Sequence, residues 1–183
     1  MRLIRQRPGD HRLWADPRGA AAVEFALLLP LLALIYFGVV EVLQGAMAEQ
    51  RVAHTASAIG DLTAQSSTIT SAEVGDIFQV GDAIMAPYPT DGLQMRVSSL
   101  TADKNGNVTV AWSQAQGMTA LTKGSTAPSL PTNVIAANES VVMGETKYTY
   151  KSVFGQVLPQ PIVFRETYYL HPRLSPQVTC TDC

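Results

Sequence analysis

Two pairs of residues in this chain have types and positions that could support chemistry. Cys180 and Cys183 end the chain in the sequence CTDC, and Glu24 and Glu41 flank an uncharged apolar run, residues 25–40. A carboxylate next to a low-dielectric region is costly unless a nearby cation favours its charged form. Glu24, at the start of the apolar run, therefore needs a positively charged partner.

The cysteine pair has three possible uses. An oxidising compartment outside the cytoplasmic membrane favours a local disulfide, although so short a loop gains little entropic stabilisation. An intermolecular disulfide and redox or metal chemistry are the alternatives. A zinc site needs about four ligands, and a thioredoxin-like motif normally sits at a helix start within an α/β fold. We therefore expect a local bond between Cys180 and Cys183 and no metal site.

The remaining polar residues predict no catalytic site. His11, His54 and His171 lie far apart, and the sequence has no Gly-x-Ser-x-Gly, P-loop or Gly-x-Gly-x-x-Gly pattern. We expect no enzymatic activity and no cofactor. The formal net charge of −2 gives no sign of a nucleic-acid partner.

The apolar run predicts a membrane-spanning helix. Residues 1–19 carry five arginines against two aspartates, and a basic segment before an apolar run marks the cytoplasmic end. Residues 20–43 are long enough for the roughly 30 Å hydrocarbon core. The predicted organisation is a basic cytoplasmic leader (1–19), a transmembrane helix (20–43), a periplasmic helical stem (44–65) and a periplasmic head (66–183). Glu41 should lie near the outer interface, where it can reach water.

Three interpretations of this N-terminus are open. The first is a plain single-pass anchor. The second is a secretory signal peptide, since Ala46-Met47-Ala48 fits the small-x-small cleavage pattern and would leave Glu49 as the first residue. The third rests on Gly19: if cleavage follows it, Ala20 is position +1 and Glu24 is position +5. A glycine, a glutamate at +5 and an apolar helix form the pattern of type IV prepilins and pseudopilins.

The resemblance extends over residues 18–42, RGAAAVEFALLLPLLALIYFGVVEV. This segment resembles the opening of TadE-like proteins, the pseudopilins of the tight-adherence (Flp-type) pilus machinery. That family typically begins with Arg-Gly, a small residue and Ala-Ala-Val-Glu-Phe-Ala, and continues with Leu/Pro-rich sequence and Phe-Gly-x-x-Glu. The residues that match are Gly19, Glu24, Pro30, Phe37, Gly38 and Glu41.

The resemblance implies a function as a substrate and an assembly component. A prepilin peptidase would cut between Gly19 and Ala20, and Glu24 would meet the free α-amine of a neighbouring subunit. The implied location is the bacterial inner membrane, with a cytoplasmic N-terminus, a periplasmic head and possible incorporation into a pilus. Implied partners are other pilins or pseudopilins, the inner-membrane assembly platform and membrane lipid. A periplasmic adhesin and a redox protein using the cysteine pair are the rival functions.

Beyond the apolar run, the pattern predicts an α+β head of pilin-like type, in which a long N-terminal helix lies on a small antiparallel sheet of about four strands. A stripe of mostly small residues at three- or four-residue spacing continues the helix to about residue 65; its members are Ala48, Val52, Ala56, Ile59 and Leu62. A short helix should run from an N-cap at Ser71 to about Met85. The Asn105-Gly106 pair predicts a hairpin, and Val108, Val110 and Trp112 should share one apolar face.

Overall fold

A computed structural model describes residues 17–128, 130–155 and 157–183. The predicted basic leader lies outside the described residues except for its last three positions. Helix α1 extends from Pro17 to Ala64, and the chain divides after Val40 into two units. Residues 41–183 form the second unit, in which the C-terminal part of α1 packs on a small antiparallel sheet. The predicted α+β class is therefore confirmed.

The stripe on α1 is buried over most of its length. Ala48, Val52, Ala56 and Ile59 are fully buried, as their three- and four-residue spacing predicts. The last member, Leu62, is 37% exposed, and Thr63 is buried in its place. A straight helix drifts relative to a strict heptad pattern, so the buried face moves by one residue over several turns.

Helix α2 extends from Ser71 to Met85 and packs beside α1 through Val74 and Phe78. Its N-cap is Thr70, so the predicted cap at Ser71 is wrong by one residue. The Thr70 hydroxyl accepts from the Glu73 amide at 3.2 Å, and the Glu73 carboxylate accepts from the Thr70 amide at 2.8 Å. This capping box satisfies two backbone donors at once, which favours Thr70 over its neighbour.

Within the described residues, six strands form two sheets. They are β1 (Thr68–Ile69), β2 (Leu93–Ala102), β3 (Val108–Gln116), β4 (Ser140–Tyr150), β5 (Ile162–Leu170) and β6 (Thr179–Cys180). The main sheet is antiparallel in the order β3-β2-β4-β5, which confirms the prediction of about four strands. The short pair β1–β6 is parallel and was not predicted.

The predicted hairpin joins β2 to β3. The Asp103 carboxylate accepts from the Asn105 and Asn107 amides and from the Asn107 side chain, each at 2.8 Å. These bonds, with the Asn107 side chain contributing most, hold the pKa of Asp103 below its ordinary value. Gly106 has φ of 81°, a left-handed conformation that glycine adopts without strain.

A β-bulge in β3 places Val110 and Trp112 on opposite faces of the sheet. Ser99 pairs with Trp112 while the next residue, Leu100, pairs with Val110, so Ala111 is an extra residue in β3. Trp112 consequently faces the helices, whereas Val110 joins a second core cluster with Leu100. The prediction that Val110 and Trp112 share one face is therefore wrong.

The second core cluster is covered by the long β3–β4 connection. Leu121, Leu130 and Val134 pack against it from that connection. Arg96 fastens the connection to the sheet, since its guanidinium donates to the Thr119 carbonyl at 2.9 Å and pairs with Glu145 at 2.6 Å.

Helix α1 crosses β4 at a contact between two glycines. A Cβ atom on Gly144 would lie 3.1 Å from the Cα of Gly60 and would overlap the Ala56 carbonyl oxygen. A Cβ on Gly60 would lie 2.6 Å from the Leu170 Cδ1 atom. The helix and the sheet can approach this closely because Gly144 lacks a side chain, whereas a Cβ on Gly60 would overlap only the end of the Leu170 side chain.

Candidate functional site

The N-terminal half of α1 exposes a continuous apolar surface. From Gly19 onward the helix is long and apolar enough to cross a membrane, and only 6% of its most apolar window is buried. Large apolar side chains are exposed along it, among them Leu27 at 74% and Tyr36 at 65%. A core helix of a water-soluble domain would be mostly buried, so this segment has the character of a helix that contacts lipid or other apolar helices.

The three residues predicted for processing and assembly lie on this helix. Gly19, Ala20 and Glu24 are all helical and exposed. A Cβ atom on Gly19 would meet nothing within 4 Å, so the described residues leave that side of the glycine open. Cleavage after Gly19 and pairing of Glu24 with an amine stay predictions.

Glu41 lies in a different environment from the predicted one. Its side chain is only 1% exposed, so the expectation that it reaches water is wrong. The Val157 and Leu158 amides donate to its Oε2 atom at 2.8 and 3.0 Å. These backbone donors replace the water that a buried carboxyl group loses, which explains how Glu41 is accommodated in the interior.

A second loop is hydrogen-bonded to α1 three residues after Glu41. The Tyr88 hydroxyl donates to the Gln44 carbonyl at 2.9 Å, and the Tyr88 ring meets the Tyr150 ring edge-on at 6.2 Å. Burial, followed by the neighbouring Tyr88 and the Glu41 carboxylate, raises the pKa of Tyr150. A cavity of about 730 Å³ lies here, lined by residues that include Gln44, Met47, Tyr88 and Tyr150. Helix residues 41–47 are thus a meeting point for two loops of the head.

The C-terminal cysteines are at disulfide distance. Their Cα atoms are 5.6 Å apart, which suits the predicted local bond. The loop that they close presents Asp182, whose carboxylate accepts from the Ser71 amide at 2.7 Å at the start of α2. A carboxylate at a helix N-terminus is favourable, so the arrangement has a structural use.

Sequence reasoning missed the loops that meet α1. The amide donors to Glu41 come from residues 116 and 117 positions later in the chain. Backbone amides carry no signature of residue type, and the tyrosine at position 88 has no spacing relation to Gln44. Only the composition of the loop containing Tyr88, APYPTDG, gave a signal, and that signal indicated a turn.

Comparison with known proteins gives one match. The family model described as TadE-like protein matches residues 19–60, which include the exposed apolar helix, Glu24, Glu41 and most of the buried stripe. No curated protein and no solved structure matches the chain. The family match therefore covers the part of the chain that holds the predicted processing and assembly residues.

Proposed function

Since residues 19–60 are TadE-like, we propose that this protein is a membrane-anchored pseudopilin or minor pilin of a bacterial tight-adherence pilus system. The observation that carries the proposal is the exposed apolar helix of residues 19–40, which lies within the matched segment. At 1.5 Å per residue these 22 residues span about 33 Å, close to the thickness of a hydrocarbon core.

The processing step follows from the position of Gly19. A prepilin peptidase hydrolyses the Gly19–Ala20 peptide bond on the cytoplasmic side. Addition of water leaves a carboxylate on Gly19 and a free α-amine on Ala20. Glu24 lies four residues further on, or about 6 Å along the helix axis. It is exposed, so its carboxylate is available to the amine of a neighbouring subunit. The resulting ion pair forms in a low-dielectric setting, where each charge stabilises the charged form of the other group.

The location follows from the same helix. The arginine-rich leader remains in the cytoplasm, and the head faces the periplasm, where a disulfide between Cys180 and Cys183 is stable. Assembly moves the helix from lipid into a bundle with other pilins or pseudopilins at the inner-membrane platform. The apolar surface then exchanges lipid contacts for helix contacts, and small residues such as Ala21 and Ala22 permit close approach.

A secretory cut after Ala48 is disfavoured by the packing of the head. Such a cut would remove Glu41 and Ala48, which are 1% and 0% exposed. The head would lose the first turns of its buried helix face, together with the acceptor for the Val157 and Leu158 amides. This loss of packing supports a mature protein that keeps residues 41–48.

The proposal is tested by a pair of matched substitutions. Glu24→Gln removes the charge at position +5, whereas Glu49→Gln removes the same charge from an exposed position on the stem. Both variants should insert into the membrane, since each substitution removes a charge from the helix and adds none. We expect Glu24→Gln to abolish or strongly reduce pilus output in cells that lack the wild-type copy. Glu49→Gln should assemble normally, and normal assembly of both variants would refute the role of Glu24.

A further inference from the structure

Two loops of the head are hydrogen-bonded to α1 just after Val40, where the first unit ends. The described residues of the β4–β5 connection, 151–155 and 157–161, which we call the anchor loop, are bonded to Glu41 through the Val157 and Leu158 amides. The loop that contains Tyr88 is bonded to Gln44. Both bonds are made within one turn of helix, so both loops lie at the same level along the second unit's part of α1.

Chain connectivity fixes where that level lies in a membrane. Glu41 directly follows Val40, the last residue of the first unit. If residues 19–40 cross the hydrocarbon core, Glu41 stands at its outer edge. The Val157 and Leu158 amide nitrogens lie within 3.0 Å of the Glu41 carboxylate, so the anchor loop stands at that edge as well.

The anchor loop has the composition of a segment that meets a membrane surface. Its sequence, KSVFGQVLPQP, contains one cation and no acid. Val153 is 76% exposed and Val157 is 47% exposed, which is unfavourable in water. Apolar side chains beside a lysine suit the boundary between acyl chains and anionic headgroups, where the ammonium group reaches lipid phosphate.

We propose that the anchor loop is an interfacial membrane anchor. Val153 and Val157 enter the headgroup–acyl boundary of the outer leaflet, and the Lys151 ammonium contacts lipid phosphate. The loop thereby holds the head against the bilayer while the helix spans it, and it must leave the lipid when the subunit is extracted into a filament. This inference rests on the proposed membrane span of residues 19–40.

The experiment measures the depth of spin labels in vesicles. The full chain, carrying Val153→Cys, is labelled without reductant, because the two native cysteines are bonded to each other. It is then placed in vesicles of phosphatidylethanolamine and phosphatidylglycerol. Collision of the label with oxygen, which concentrates in lipid, is compared with collision with a water-soluble nickel chelate.

Leu174→Cys supplies a matched control at the other end of the head. Leu174 is 74% exposed, almost the same as Val153. Its neighbour Arg173 donates its amide to the Ala64 carbonyl at 2.9 Å, and Ala64 lies 23 residues beyond Glu41 on α1. That is about 35 Å from Glu41 along the helix. Leu31→Cys, in the middle of the apolar segment, reports independently whether the helix spans.

The expected result is a ratio of oxygen to nickel collisions that is severalfold higher at position 153 than at position 174, with a still higher ratio at position 31. Equal ratios at 153 and 174, with position 31 in lipid, would overturn the anchor and leave the proposed span standing. Shielding of position 153 from both reagents would also overturn it, since another protein surface would then cover the loop. Water exposure at position 31 would refute both the span and the anchor.

Discussion

The close crossing of α1 over β4 makes a sharp prediction about Gly144. Gly144→Ala adds a methyl group that overlaps the Ala56 carbonyl oxygen and lies 3.1 Å from the Gly60 Cα atom. Both neighbours are backbone atoms, so a side-chain rotation cannot relieve the overlap. Favourable carbon contacts lie at about 3.5–4.0 Å, and the helix must therefore retreat by roughly 1 Å.

The expected loss of stability follows from the packing contacts that this movement of the helix weakens. The fully buried side chains of Val52 and Ile59 lie on the same helix face, and a gap of about 0.5–1 Å forfeits a quarter to a half of each contact energy. Overpacking of this kind costs about 3 kcal/mol at the upper end of the usual range. For a protein of this size that is a fall in melting temperature of roughly 6–12 °C.

The assay is thermal or urea unfolding of the full-length protein in mild detergent, followed by Trp112 fluorescence. Trp112 is buried, and its indole donates to the Val178 carbonyl at 2.8 Å, so its emission reports on the folded head. Gly75→Ala is the control, because a Cβ atom there meets nothing within 4 Å in the interior of α2.

The two alanine variants should move in opposite directions. Gly75→Ala should raise the stability by about 0.5–1 kcal/mol, since alanine has the higher helix propensity. A Gly144→Ala protein that unfolds at the wild-type midpoint would refute the packing argument. So would an equal loss of stability in both variants, because the effect would then not come from the crossing.

Two further predictions concern the ends of the head. Glu41→Ala leaves the Val157 and Leu158 amides without their carboxylate acceptor, which should lower the stability by about 1.5–3 kcal/mol. The substitution should also speed proteolysis within residues 151–161. Cleavage no faster than in the control variant Glu49→Ala would contradict this. Cys180→Ser should lower the stability by no more than about 2 kcal/mol, because the disulfide closes a very short loop. Unfolding of the Cys180→Ser variant at room temperature, detected by Trp112 fluorescence, would contradict this prediction. The disulfide would then stabilise the whole head rather than the end of the chain alone.

Local patterns sufficed to predict the two helices and the β2–β3 hairpin of this fold, but not the short β1–β6 pair. The apolar run, the stripe on α1 and the Asn105-Gly106 turn each depend on neighbours within one or two turns of chain, and each formed as expected. The β-bulge at Ala111 was not predictable in the same way. An extra residue leaves the alternation of side chains intact in the sequence and changes only which face each side chain meets.

Long-range contacts explain the other differences. Gly144 is required by the approach of α1, whose Ala56 lies more than 80 residues earlier in the chain. The burial of Glu41 could not be predicted from the sequence, because its hydrogen-bond partners are backbone amides of a distant loop. The roles proposed for Gly19, Ala20 and Glu24 involve a peptidase and neighbouring subunits, so the contacts that would test them lie outside this chain.

The central claim is that cleavage after Gly19 creates the amine that Glu24 meets. The most direct test is the N-terminal residue of the protein recovered from bacterial membranes, read by mass spectrometry of the terminal peptide. The account predicts Ala20 as the first residue. A functional protein that still begins at Met1, or one that begins at Glu49, would contradict it.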